Sequence, residues 1–212
     1  MRFAILLSVL FALPISASAT TITFEEFPFQ TDGQTSAPKI TTEYAPQGVL
    51  FSPPPAANAD DGIIRGGNSN GDPGNWNLEG TNGPQFLGYG SGPLASAELL
   101  DFLFDVTDVS FDVSRSNGTS PGVGLSVTAY LDGVVVDSTL ITFGDINQWT
   151  TISLDGVFDQ IEYHAVSGTS SGSFGVDNLN FSAIPEPSTA LLLAFGLVIL
   201  ASSKHRHHRI AA

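Results

Sequence analysis

From Val123 to Leu131 apolar and polar residues alternate without a break: Val123, Leu125, Val127, Ala129 and Leu131 against Gly124, Ser126, Thr128 and Tyr130. A period of two sends one set of side chains to one face of a strand and the other set to the opposite face. A helix built on this pattern would scatter its apolar residues around the whole cylinder. Asp132-Gly133 follows, and then Val134-Val135-Val136. Type I′ turns need positive φ at both central residues, which Asp-Gly tolerates, so the stretch predicts a β-hairpin.

The same pattern recurs. Val109, Phe111 and Val113 alternate with Ser110 and Asp112, and Val157, Asp159, Ile161 and Tyr163 alternate with Phe158, Gln160, Glu162 and His164. Further strand candidates are Thr21–Phe24, Val49–Ser52, Ile63–Arg65, Gln85–Tyr89, Glu98–Phe104, Leu140–Phe143 and Thr150–Leu154. No stretch between Thr20 and Ala183 carries a helical stripe. Many short strands punctuated by Gly and Pro predict an all-β fold, an antiparallel β-sandwich. Two long segments, Gln30 to Pro46 and Pro53 to Pro84, interrupt the strands with Pro, Gly and Asn. Loops of that length in a compact domain carry function or move. No repeat at a fixed period is present, which argues against a solenoid or propeller.

One strand breaks its own alternation. In Phe174-Gly-Val-Asp-Asn-Leu-Asn-Phe181, Phe174 and Val176 share one parity while Leu179 and Phe181 share the other. A bulge at Asp177-Asn178 would return both pairs to the core and re-aim the two polar side chains. The other solution is a strand that is apolar on both faces.

The first residues predict export. Arg2 supplies a positive start, Phe3 to Leu13 an apolar run, Pro14 a break, and Ala17-Ser18-Ala19 a small-residue cleavage site before Thr20. Residues 1–19 therefore read as a signal peptide and 20–183 as the folded domain. The whole chain has a formal charge of −14 and no Cys. Between Thr20 and Ala183 only Lys39, Arg65 and Arg115 stand against 20 acidic residues, a formal −17. Such a surface lacks the cations that displace counterions from phosphate, so nucleic acid is excluded as a partner. It suits a secreted protein or one that collects divalent cations. With no disulfide to staple it, the domain must hold by packing, or by packing with a metal.

The end of the chain reverses the charge. Ile184-Pro-Glu-Pro-Ser-Thr189 leads into an apolar run from Ala190 to Ala201 and then a basic cluster of Lys204, Arg206 and Arg209 with His205, His207 and His208. The run is shorter than the roughly 20 residues of a comfortable helical span, and residues 189–203 together could cross a thin bilayer. The basic cluster at 204–212 would then stay inside. The His-rich end also reads as a metal tract, although Arg interrupts it. Pro185-Glu186-Pro187, the short apolar helix and the terminal basic cluster resemble the PEP-CTERM sorting signal of Gram-negative bacteria. That resemblance covers residues 184–212. It implies an exosortase as processing partner, transient attachment to the inner membrane through the tail, and delivery to the cell envelope or an extracellular polysaccharide matrix. "ITFEEFP", "WTTISLDGVFDQIEYHAVSG" and "FGVDNLNF" likewise resemble the exported domains that carry such tails. That likeness implies a jelly-roll-like sandwich and no particular activity.

Candidate sites follow. Glu25 at the end of the first strand and Asp177 with Asn178 in the last offer carboxylate and amide oxygens, which suit Ca2+. This arrangement resembles the structural calcium of many carbohydrate-binding sandwiches. The plainer reading is surface charge and an Asx-turn. Asn68 to Asp72 with Glu79 has the rhythm of an EF-hand loop, but Asn replaces the first Asp and Pro73 replaces the turn glycine, so it reads as a polar loop. Trp76 and Tyr89 could stack on sugar rings or cover the edge of the core, and Trp149 reads as core. Catalysis has little support: His164 is the one His outside the tail, no nucleophile elbow is present, and paired carboxylates for glycoside cleavage are numerous but unspecific. The sequence thus predicts an exported surface or matrix-associated structural or adhesion protein. A calcium-dependent carbohydrate-binding module is the alternative, and a glycosidase the second.

Overall fold

The structure, a computed structural model, describes residues 19–27, 40–52, 63–66, 78, 80–89, 98–116, 119, 121–166 and 174–184. The signal-peptide run, Pro185-Glu186-Pro187, the apolar tail, Trp76 and the Asn68–Asp72 loop lie outside these residues. Among the described residues no helix is long and apolar enough to cross a membrane. The fold below is that of the compact unit Ser18–Ala183.

Among the described residues ten strands follow one another: β1 (Ala19–Ile22), β2 (Val49–Ser52), β3 (Ile63–Gly66), β4 (Gln85–Tyr89), β5 (Glu98–Arg115), β6 (Gly124–Leu131), β7 (Val134–Thr142), β8 (Thr150–Leu154), β9 (Phe158–Val166) and β10 (Phe174–Ala183). A single 3-10 turn, Ala45–Gln47, precedes β2 among the described residues. Every pairing is antiparallel. The two candidates at Glu98–Phe104 and Val109–Val113 are one strand of 18 residues, β5. Its first part pairs with β2 and β9, and its second with β10 and β8. Between Asp101 and Val106 the register to β9 shifts, and there the strand passes from one layer to the other. One layer therefore runs β2-β5-β9-β6-β7. The other runs β3-β4-β10-β5-β8, with β1 continuing the β4 side of β10. The first and last strands pair directly, Ala19 opposite Ser182 and Ile22 opposite Leu179.

The core is aromatic and spans both layers. Phe102 of β5 meets Phe181 of β10 edge-on with ring centroids 5.1 Å apart, and Phe111 meets Tyr163 of β9 at 5.3 Å. Burying each such ring stabilises the fold by about 1.5–3 kcal/mol, and edge-to-face geometry adds to that. The hairpin forms as its sequence demands: Asp132 has φ 50, Gly133 has φ 76, and Leu131 faces Val134. The bulge in β10 is present too. Asp177 faces Asp112 and Asn180 faces Ser110, so β10 holds one residue more than β5 there, and Asn178 sits at φ 50. Phe174, Val176, Leu179 and Phe181 are all buried. A counter-shift lower down, between Asn180 and Ser182, restores the register at Asp108, which has φ 53.

Trp149 is not part of the main core. It is half-buried and packs with Leu78 and Phe86 in a second, small apolar cluster. Gly175 lies beneath that cluster: a Cβ there would come within 2.6 Å of Leu78 Cδ2 and 2.7 Å of Phe86 Cδ2. The lack of a side chain at 175 lets Leu78 and Phe86 lie flat on the outer side of β10.

Candidate functional site: an oxygen cradle and an open sheet face

The bulge carries Asp177 and Asn178, two of the three candidate metal ligands, to the segment around Thr81 and Asn82. Asp177 is fully buried, and its Oδ2 accepts hydrogen bonds from the Thr81 N–H at 2.7 Å and the Thr81 hydroxyl at 2.9 Å. Its Oδ1 accepts from the Asn178 N–H at 2.8 Å. Glu25, just past β1, reaches the other end of the same segment, where its Oε1 accepts from the Gln85 N–H at 2.8 Å. Gly83 makes that approach possible, because a Cβ there would overlap the Glu25 carboxylate.

At Gly80 the oxygens converge. A Cβ on Gly80 would collide with the backbone oxygen of Gln85, lie 2.8 Å from that of Gly83 and come 3.1 Å from Asp177 Oδ2. Gln85 also keeps a buried side-chain oxygen, Oε1, that receives no hydrogen bond. Among the described residues no three His, Cys, Asp or Glu side chains gather as a metal site. The oxygens that converge are of another kind: the Asp177 carboxylate and two backbone carbonyls, hard oxygens of the type Ca2+ takes, with the Glu25 carboxylate held beside Gly83 by the Gln85 N–H. Burial pushes the Asp177 carboxyl above the ordinary carboxylate value, partly offset by the donors from Thr81 and Asn178, with Asp112 adding repulsion. Burial likewise raises Glu25, the Gln85 N–H opposes that, and the charges of Asp177 and Glu26 add to it. Tyr44 shows the same surroundings. Its phenol is pushed up by burial first, then by Glu26, Glu43 and Asp177.

Asn178 does not turn toward Glu25. Its amide nitrogen donates to Asp112 Oδ2 at 2.8 Å and to the Thr81 hydroxyl, and its Oδ1 accepts from Asn82 at 2.6 Å. It ties the segment to the sheet. Tyr89 corrects the sugar-stacking expectation. It is 3% exposed and stacks in the core on Phe174, with ring centroids 5.0 Å apart, so it has no face to offer a ligand. All five residues of β4 are buried, which removes the parity that would have separated an inner from an outer position.

A second feature lies on the outer face of the β2-β5-β9-β6-β7 layer. Pairing aligns Leu50, Asp101, Gln160, Tyr130 and Val135 in one row across five strands. The next row brings Leu99, Glu162, Thr128 and Ser138 together, and the one after it His164, Ser126 and Leu140. On β5, β9 and β6 their neighbours along the strand (Leu100, Ile161, Ala129, Val127) are buried, so these side chains point outward, while β7 has no buried residue and Val134, Val135 and Val136 are all exposed. The Gln160 amide donates to Asp101 Oδ1 at 2.6 Å, and the Tyr130 hydroxyl donates to Glu162 Oε2 at 3.1 Å. Burial, then that bond to Glu162, raises the Tyr130 phenol. Leu140 is 65% exposed and Val135 56%, an apolar margin on the β7 side. Four strand gaps at about 4.8 Å make the face roughly 19 Å wide. Sequence reasoning passed over it because each of its residues looks like an ordinary solvent position of an alternating strand.

No family model and no curated protein matches the chain. Among solved structures, the K2 cleaved adhesin domain of Lys-gingipain aligns at 14% identity over 77% of this chain and 99% of that one, with a TM-score of 0.48. The K1 cleaved adhesin domain of Lys-gingipain from Porphyromonas gingivalis aligns at 12% identity over 79% and 99%, with a TM-score of 0.47. A point mutant of the family 29 carbohydrate-binding module CBM29-2 aligns at 16% identity over 59% and 98%, with a TM-score of 0.35. No ligand or activity is carried over from them.

Proposed function

We propose that the chain is an exported, non-catalytic adhesion or matrix-structural protein that holds extracellular polysaccharide on the outer face of the β2-β5-β9-β6-β7 layer. The observation that supports this is the row Asp101-Gln160-Tyr130, with Glu162 beside it. An aromatic ring is flanked there by an amide and two carboxylates that are held by hydrogen bonds. Sugars present apolar C–H faces to an aromatic ring and hydroxyls to amides and carboxylates, so the face offers both halves of the contact. Delivery by the tail is part of the same reading. The Pro185-Glu186-Pro187 signal would be processed by an exosortase, and the domain released from the inner membrane to the cell surface or matrix.

Calcium takes a structural role in this proposal. Asp177, Glu25 and the carbonyls of Gly83 and Gln85 would hold it, and its charge would offset the repulsion between the buried Asp177 carboxyl and the half-buried Glu25 carboxyl. The test of function is retention of the full chain by a panel of extracellular polysaccharides. Tyr130→Ala is expected to abolish retention, with the melting temperature checked alongside. Retention unchanged in Tyr130→Ala would remove this face from the account. Hydrolysis of a bound polymer, lost in Glu162→Gln or Asp101→Asn, would replace the binding reading with a glycosidase.

A further inference from the structure

If this face binds glycan, its charge restricts which glycan. The strands that build it, β2, β6, β7, β9 and Glu98–Asp105 of β5, contain no Lys or Arg. At its centre stand two carboxylates, Asp101 and Glu162, on neighbouring strands and in adjacent rows. Gln160 and Tyr130 each fix one carboxylate oxygen. Glu162 Oε1 takes no hydrogen bond among the described residues. The surrounding domain carries 20 acids against three cations, so the field over the face is negative at long range as well. A polymer of uronic acids is repelled at a distance and again on contact. A neutral glucan can donate its hydroxyls to the carboxylates, but it brings no positive charge to offset theirs.

A protonated amine is attracted at both ranges, and it can hydrogen-bond to a carboxylate already held in place, the strong class of hydrogen bond. The Tyr130 ring adds a surface that attracts cations. We propose, building on the glycan-binding reading above, that the ligand is an amino-sugar polymer with free amines, and that Glu162 and Asp101 receive those amines while Tyr130, Val135 and Leu140 meet the sugar C–H faces.

The experiment compares three probes of equal length on the immobilised full chain: a β-1,4-linked glucosamine hexamer, its fully N-acetylated counterpart, and cellohexaose. The glucosamine hexamer is expected to bind about tenfold tighter or more, the scale of one charge-assisted hydrogen bond. Glu162→Gln and Asp101→Asn should each remove most of that preference, and added salt should weaken it. Asp155→Asn removes the same charge from the exposed turn before β9 and should leave the preference intact. Equal binding of all three hexamers overturns the amine assignment and leaves the glycan-binding face standing. No binding of any hexamer, nor of the polysaccharide panel, overturns both. A preference lost equally in Asp155→Asn reduces the effect to net charge and overturns the site. Binding of an oligolysine peptide with the same dependence on Glu162 makes the face a peptide site and overturns the glycan. Should Asp101→Asn fail to fold, Glu162→Gln and Tyr130→Phe, which keeps the ring and loses only the hydroxyl, decide the question.

Discussion

Glu25 and Asp177 are carboxyls that the fold raises above their ordinary values, chiefly by burial. A carboxyl raised in the folded state binds its proton more tightly there than in the unfolded chain. Its contribution to stability is therefore full below the ordinary carboxylate value near 4 and is lost as pH rises through the raised value. Without calcium, the melting temperature of wild type relative to Glu25→Gln should fall as pH climbs through that window and level off above it. With calcium present the sign reverses, because the cation binds only the ionised carboxylates, and wild type should gain on Glu25→Gln as pH rises. A difference between the two proteins that is flat in both buffers would show that Glu25 neither repels Asp177 nor meets a cation. Gly80 tests the same place without touching a charge. Gly80→Ala puts a methyl group against the backbone oxygens of Gly83 and Gln85, which cannot swing aside as a side chain would. A cost of about 1–3 kcal/mol is expected, together with loss of any calcium-induced rise in melting temperature. Wild-type response to calcium in Gly80→Ala would place the ion elsewhere.

The elements differ in how openly the sequence declares them. The β6–β7 hairpin is legible because both its signals, a period of two and Asp-Gly, are local. The β10 bulge is legible for the same reason: the change of parity from Val176 to Leu179 has one cheap remedy, an extra residue at the polar pair between them. What the bulge does is not local. Asp177 and Asn178 gain their meaning from Thr81 and Asn82, 96 positions earlier in each pair, and nothing near them names that partner. The crossing of β5 between layers is hidden likewise, since it depends on which strands lie beside it. The open face needs the registers of β5, β9 and β6 together before Asp101, Gln160 and Tyr130 form a row. Asn178 allows the two roles of the bulge to be separated. Asn178→Gly keeps the positive φ and loses the side-chain bonds to Asp112, Thr81 and Asn82. Asn178→Ala loses the bonds and also strains the backbone. The alanine variant should be less stable than the glycine variant by about 1 kcal/mol in denaturant unfolding, the usual cost of a Cβ in the left-handed region. Equal stability would mean that the bulge relaxes to a conventional conformation once the side chain is gone.

At the scale of the molecule, the compact unit closes on its own ends. β1 and β10 pair from Ala19 opposite Ser182 to Ile22 opposite Leu179, and the Thr21 hydroxyl donates to Asn180 Oδ1 at 2.6 Å. The expected signal cleavage before Thr20 and the proposed sorting motif at Pro185 therefore flank a single pair of strands. Removing the residues beyond either end leaves most of that ladder intact, with Ile22, Leu179 and Phe181 still buried beneath it. A calcium ion at Glu25 and Asp177 would fasten the same two strands through the segment they share. At a hundredfold excess over its dissociation constant it would contribute about 2.7 kcal/mol, or roughly 5–10 °C in melting temperature for a domain of this size. Magnesium, which gives up its waters reluctantly and demands octahedral geometry, should do much less. The processing proposal predicts masses. Protein recovered from the surface or matrix of a host with a matching exosortase should begin at Thr20 and lack Lys204 to Ala212, whereas a host without one should yield chains that keep the basic tail in the membrane fraction. The released form would carry nearly the full charge of −17 held between Thr20 and Ala183, no longer balanced by Lys204, Arg206 and Arg209. Such a protein repels its own copies and stays dispersed until a partner or a cation binds it. Intact mass spectrometry of the two fractions decides between outcomes: a full-length tail on matrix protein from the native host would turn the sorting signal into a permanent anchor, and a chain that still begins at Met1 would remove export by a cleaved signal.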